Sequence, residues 1–439
     1  MDGTIAGVVS RLGHSDRQSP SSTAVATTSP RTIGWALAAG LACVPLLFLA
    51  LGPWLLTGRV IVEFEPVDRL YYSVAERVSQ GQIPYRDFPL EYPIGSLPQL
   101  VLPILAGRDV PTYRAAYAAE MLLVNALLVI VLAAHVERRE GHGAVPRRLA
   151  WYLLCFLFLC RLIVTTLDIV PALLAFLAAA GWFAGRPIRG GLLAALGGLV
   201  KVFPALAALP AGLRELSRPR ATRLRGSVAF ACAFAMGLAL WYLLAGPGMA
   251  ASIRYHKERG LEVESLYAGL LAVAGRLTGG HMGVELGHGS IELQCAWAPA
   301  AVAASPYVQL LALGVTLAAF VRPWGRSGIQ CTGALILAFF ATAPVLSPQY
   351  IIWALPFVLA IGGPLGLRAR LLYVPICALT FLMYPLLFHR GVLALWIPAM
   401  LLLTLRNFLL IVLWGLMAFG TGCTPAPRSA NHANLADSS

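Results

Sequence analysis

Two short runs concentrate unusual chemistry early in the chain. The first reads Val67-Asp68-Arg69-Leu70-Tyr71-Tyr72, and the second runs from Gly81 through Pro84-Tyr85-Arg86-Asp87-Phe88 to Glu91-Tyr92-Pro93. Carboxylates accept protons from hydroxyl groups, and aromatic faces stack on the apolar faces of pyranose rings. Asp68, Asp87, Glu91, Tyr72, Tyr85 and Tyr92 therefore form a set suited to handling sugars. Asp68 lies shortly after the first apolar run, near a membrane surface, where partial burial would raise its pKa and suit it to act as general base on a hydroxyl. Asp87 and Glu91 compete for that role, and the intervening Pro89 argues against their sharing one helical face. The plain alternative is a solvated loop held by local ion pairs such as Arg86 with Asp87.

Further along, Lys201 stands inside an apolar stretch. A charge at membrane depth is expensive, so it faces a polar cavity or a partner. A lipid phosphate and Asp168 are the two candidates. Arg254, His256, Lys257 and Arg259 cluster after another apolar run, where they would hold a phosphate and stabilise it as it leaves, or else touch lipid headgroups. His256 is also a candidate for proton transfer. Gln349 and Tyr350 would hydrogen-bond sugar hydroxyls or cap the start of a span. His281, Glu285 and His288 have no recognised ligand spacing, so no metal is expected. The eight cysteines are scattered and mostly apolar in context, which reads as small buried hydrophobes.

The elements that must position these groups are set by composition. Of 439 residues, 58% are hydrophobic and 12% charged, and the mean hydropathy is +0.74. Soluble domains carry roughly 25% charged residues, so the chain belongs to the membrane class. Its net charge of +13 would suggest nucleic acid in a soluble protein. Here the basic residues sit in short loops between apolar runs, which points to orientation in a bilayer and excludes nucleic acid as a partner. A basic face toward anionic lipid is expected as well.

Apolar runs at 33–57, 113–136, 148–167, 169–185, 226–246, 305–323, 328–346, 349–364, 370–388 and 391–419 are candidate spans. The stretch 190–213 is interrupted by Lys201 and Pro204 and flanked on both sides by arginine. Two short helices with their tip near Lys201 would keep both flanks on one side, giving about twelve crossings. The expected fold is all-α, a polytopic helical bundle. The arginines of 137–148, 186–189, 214–225, 322–326 and 368–370 mark the cytoplasmic side, so the long loops 58–112 and 247–304 fall together outside. The tails 1–32 and 420–439 are polar and read as disordered and cytoplasmic, flanking one transmembrane domain over 33–419. Arg406, within the last run, is expected to mark a break between a short span and an interfacial helix.

Taken in order, the motifs resemble glycosyltransferase family 87 of the GT-C superfamily, which includes polyprenyl-phosphate-mannose-dependent mannosyltransferases. The first-loop pattern is similar to that family's first outer loop. Leu167-Asp168-Ile169-Val170-Pro171, Val200-Lys201-Val202-Phe203-Pro204, Arg259-Gly260-Leu261-Glu262-Val263-Glu264-Ser265-Leu266 and Ser347-Pro348-Gln349-Tyr350-Ile351-Ile352-Trp353 resemble later elements in the same order. One departure is Ile94, where the family often has a second proline. The resemblance implies a GT-C bundle with short juxtamembrane helices in the first long loop. It implies an inverting transferase in the plasma membrane, needing no cofactor. The sugar, mannose favoured, would pass from a polyprenyl-phosphate donor to a hydroxyl of a cell-envelope glycolipid or lipid-linked glycan. Asp68 would be the base, and Glu264 and Ser265 would join the substrate site. The competing function is a lipid or glycolipid transporter, since buried charges and broken helices also mark substrate pathways.

Overall fold

The computed structural model describes residues 28–57, 66–217, 219, 223–287, 289–321 and 327–421. Most of the expected polar tails (1–27 and 422–439), His288 and Arg322 and Arg326 lie outside the described residues. The protein is an all-α helical membrane protein with one small β-hairpin. Among the described residues, seven helices are long and apolar enough to cross a bilayer.

The helices follow in chain order. α1 is Pro30–Thr57. A π-helical turn, Pro66–Tyr71, runs into α2, Tyr72–Ser79, and α3, Leu97–Val101, is flanked by 3₁₀ turns. α4 is Val110–Glu140, α5 Val145–Thr165, α6 Ile169–Phe183, α7 Pro187–Val200 and α8 Ala208–Leu216. α9 is Arg225–Ala245, α10 Gly248–Lys257 and α11 Leu266–Thr278. Strands β1, Gly283–Gly287, and β2, Ser290–Gln294, pair antiparallel. α12 is Ala298–Val321, α13 Gly328–Ala341, α14 Ile351–Ala360, α15 Gly363–Phe381 and α16 Ile397–Phe419.

Side-chain contacts sort the connections to two ends. At the first end Ser29 meets Glu137 and His142, and Arg148 binds Glu140 and the carbonyls of Leu359 and Ile361. Gln330 bonds the carbonyls of Met417 and Gly420 at this end too. At the second end the backbones of the two long connections meet. Gly248 lies so close to Tyr85 that a Cβ there would fall 1.9 Å from its carbonyl oxygen. His256 bonds the Glu91 carbonyl at 2.8 Å.

The interrupted stretch 190–213 folds as two short helices. α7 stops at Lys201, which is extended (φ −156°, ψ 141°), and a 3₁₀ turn over Phe203–Ala207 carries Pro204 near its start, where no N–H is required. α8 then returns. Its Glu215 accepts from the backbone N–H of Gly226 (2.8 Å) and Ser227 (2.9 Å) at the start of α9. A Cβ on Gly191 would sit 2.2 Å from the Gly226 carbonyl, so the first turns of α7 and α9 touch backbone to backbone. Both arginine-rich flanks thus share the first end, and Lys201 points to the second.

One expectation changes, and one element was not foreseen. The expected break at Arg406 is absent: α16 runs unbroken through it, and Arg406 is fully buried. The kink lies earlier, at Tyr384 (φ −128°, ψ 103°). The segment after Thr278 holds a hairpin because Val284, Leu286, Ile291 and Leu293 alternate with polar residues at the two-residue period of a strand.

Candidate functional site

At the second end a cavity of about 930 Å³ opens between the two long connections, the α7–α8 tip and the start of α14. Glu91, Tyr92, Lys201, His256, Arg259, Gln349 and Tyr350, all expected from sequence, line it together. Arg69, Tyr255, Lys257, Ser347 and Trp353 complete the polar wall. The other wall is apolar, built by Leu199, Val202, Phe234, Leu238, Trp241 and Phe339.

Glu91 is the one acidic residue lining this cavity among the described residues. The hydroxyl of Tyr255 hydrogen-bonds its side chain; burial first, and then that bond, raises the Tyr255 pKa. The position of Glu91 is fixed by its own backbone. Its carbonyl takes the His256 Nε2 contact, and the neighbouring Tyr92 carbonyl accepts from the Tyr85 hydroxyl at 2.6 Å. Tyr85 itself has φ +68°, the left-handed region, which is uncommon for a non-glycine residue. Its N–H bonds the Phe88 carbonyl at 2.8 Å and its ring lies 5.3 Å from that of Trp241, so the strained turn is pinned at both ends.

His256 faces a carbonyl oxygen, which only accepts, so Nε2 carries the proton. The ring lines the cavity with an exposed face, while the protein beside it removes part of its water. That desolvation lowers its pKa, with Arg259 and Lys201 adding to the effect and Glu91 opposing it.

Lys201 makes the ion pair foreseen as one of its two alternatives. Nζ lies 2.6 Å from Asp168 Oδ1, and Trp353 Nε1 donates to the same oxygen at 2.5 Å. Asp168 is buried one layer behind the cavity and does not line it. Three rings stack beside the pair: Phe203 on Trp353 and Tyr350 on Trp353, each with centroids 4.0 Å apart. Lys201 Nζ sits 5.2 Å from the Tyr350 centroid and 5.3 Å from that of Trp353, inside cation–π range. An ammonium has three donors, and Asp168 takes one; Lys201 still lines the cavity and can meet an anion there.

Other expected residues serve elsewhere. Asp68 does not line the cavity. It turns to α4, where Arg114 holds both of its oxygens at 2.9 and 2.6 Å, while Pro66, Arg69 and Leu70 of the same turn face the cavity. Tyr72 donates to the Arg108 carbonyl. Arg86 and Asp87 form an exposed ion pair, and Asp87 also accepts from the Ile83 N–H, so Arg86 first and that bond second hold its carboxyl below the usual range. Arg254 is exposed and outside the cavity. Glu264 and Ser265 are buried below it. Ser265 caps α11 through the Ala268 N–H, and the Glu264 carbonyl accepts from Arg406 and Asn407, each at 2.9 Å.

Sequence reasoning missed Tyr255, Trp353, Ser347 and Arg69 as wall residues. Tyr255 was the readable one, set between Arg254 and His256; the others depend on tertiary approach. Glu262, one residue behind the wall, receives the Ser347 hydroxyl at 2.9 Å, and burial raises its pKa. No group of three or more His, Cys, Asp or Glu suited to a metal occurs among the described residues.

The cavity can therefore bind an anion beside apolar and aromatic surfaces while presenting one carboxylate as proton acceptor. Its class is that of a polytopic helical membrane protein with a polar site at one end of the bundle. No protein-family model and no curated protein matches the chain.

Proposed function

We propose that the chain is a membrane glycosyltransferase of the GT-C type that moves a sugar from a polyprenyl phosphate to a hydroxyl of a glycolipid or lipid-linked glycan. The observation that carries this reading is the cavity wall. Arg69, Lys201, Lys257 and Arg259 face a single carboxylate, Glu91, and the opposite wall is apolar. The cations suit a phosphate, the stacked rings suit a sugar, and the apolar wall suits an isoprenoid chain that stays in the bilayer. The motif resemblance favours mannose as the sugar.

In this reading the acceptor oxygen attacks the anomeric carbon as its proton passes to Glu91. The bond from that carbon to the phosphate oxygen breaks, and the phosphate leaves with the electron pair. Lys201 and Arg259 take up the growing charge. One displacement inverts the configuration. The role first given to Asp68 moves to Glu91, because Arg114 occupies both Asp68 oxygens. About twelve crossings are proposed, seven of them through the long apolar helices. The arginine-rich end would face the cytoplasm and the cavity the outside. Confinement of the polar wall to one end supports transfer over transport.

Purified protein in liposomes, supplied with radiolabelled polyprenyl phosphomannose and envelope lipid acceptors, tests the reading. Glu91→Gln should lose roughly 10²-fold or more of the transfer rate, as removal of a general base does. Asp68→Asn should keep most of it. The reverse outcome would return the base to Asp68, and absence of transfer by the unaltered protein from any polyprenyl-phosphate sugar would sink the proposal.

A further inference from the structure

At the end opposite the site, four arginines surround a second cleft. Arg138 and Arg139 come from the last turn of α4, and Arg186 and Arg189 from the junction of α6 and α7. Together they rim a cavity of about 340 Å³ whose floor is apolar, formed by Ile130, Leu177 and Ile329. All four guanidinium groups are exposed, and none has a carboxylate partner among the described residues. The nearby acids are committed elsewhere. Glu137 accepts from Ser29 and meets His142, and Glu140 takes Arg148.

Four cations held together without counter-charge repel one another, so the cleft is poised for an anion. The shape says which kind. Arg186 and Arg189 also border an adjoining cavity of about 640 Å³ that runs over Leu192 and Leu193. Ile188 and Leu192 of its wall and Leu196 one turn further along α7 are each about half exposed, forming an apolar track down the outside of the helix. A charged head with chains lying along that track fits both features; a free anion uses only the first. We infer that this cleft binds one anionic diacyl phospholipid, with its phosphate among Arg138, Arg139, Arg186 and Arg189 and its acyl chains on α7.

The test is native mass spectrometry of the full chain released from mixed micelles containing dioleoylphosphatidylglycerol or dioleoylphosphatidylcholine. The unaltered protein should retain one phosphatidylglycerol and no phosphatidylcholine. Arg186→Ala with Arg189→Ala should lower that retention roughly tenfold or more. Arg138→Gln with Arg139→Gln, on a different helix, should do the same and serves if the first pair does not purify. Arg147→Ala with Arg368→Ala removes the same charge from exposed positions outside the cleft and should leave retention unchanged. Equal loss in the cleft and control variants would reduce the effect to general surface charge and overturn the site. Equal retention of phosphatidylcholine, or full displacement by inorganic phosphate, would overturn the lipid assignment.

Discussion

Arg406 and Glu264 show how a single buried side chain can carry a pH dependence. Arg406 is fully buried and donates to the Glu264 carbonyl, with its Nη1 3.5 Å from the Glu264 carboxylate. Burial pushes the Glu264 carboxyl up from 4.5 to about 8, against the pull of Arg406. The folded state therefore holds this proton more tightly than the unfolded chain does. The group's contribution is complete below about pH 4.5 and is lost progressively as pH rises through about 8. Glu264→Gln keeps the shape of the protonated acid and cannot ionise. Its melting temperature should draw ahead of the unaltered protein between pH 5 and 8 and then run parallel. A constant gap across that range would show that Glu264 is ionised in the fold. The residue types at the site were largely legible in the sequence: Glu91, Lys201, His256 and Tyr350 all face one cavity. Their roles were not. Nothing local tells that Arg114, from a later helix, claims Asp68, or that Arg406 draws Glu264 below the cavity floor.

Among the elements, the β1–β2 hairpin lends Leu286 and Gly289 to the cavity wall. Gly289 has φ +67°, and a Cβ there would fall 2.2 Å from the Tyr255 hydroxyl oxygen and 3.2 Å from Glu91 Oε2. Gly289→Ala should lift the hairpin tip off the cavity and lower sugar transfer by roughly ten- to a hundredfold, with insertion unchanged. Gly283→Ala, at a position with open space around it, is the matched control. Similar kinetics in the two variants would remove the hairpin from the site. The broken helix at Lys201 was readable because a lone ammonium and a proline interrupt an apolar run between two arginine-rich flanks. The hairpin was not foreseen, because a glycine-rich stretch inside a long loop hides its two-residue period. Helix ends moved by several residues where side chains decide them. α12 begins at Ala298 and α16 at Ile397, whereas the kink at Tyr384 did have a local signal: Pro385 follows it and disfavours helical geometry in the residue before it.

For the whole molecule the central question is which end meets which compartment. In a cysteine-free background, Arg86→Cys at the cavity end and Arg189→Cys at the arginine-rich end should react with an impermeant thiol reagent from opposite faces. Arg86 should label in intact cells and Arg189 only after permeabilisation. Labelling of both from one side would collapse the two-ended arrangement and, with it, the proposed reaction. The charge asymmetry that sets this expectation was plain in the sequence because it is a property of loops, where no packing competes.

The contact between His256 and the Glu91 carbonyl joins positions 165 apart in the chain. At about 5–20 residues per second of synthesis, the earlier segment waits on the order of ten to thirty seconds for its counterpart. During that interval Glu91 sits in an unfinished surface, without the ring that anchors its backbone or the tyrosine that meets its carboxylate. The pocket is thus a late product of biogenesis, and the young first loop must stay intact through a period when only its own turns protect it.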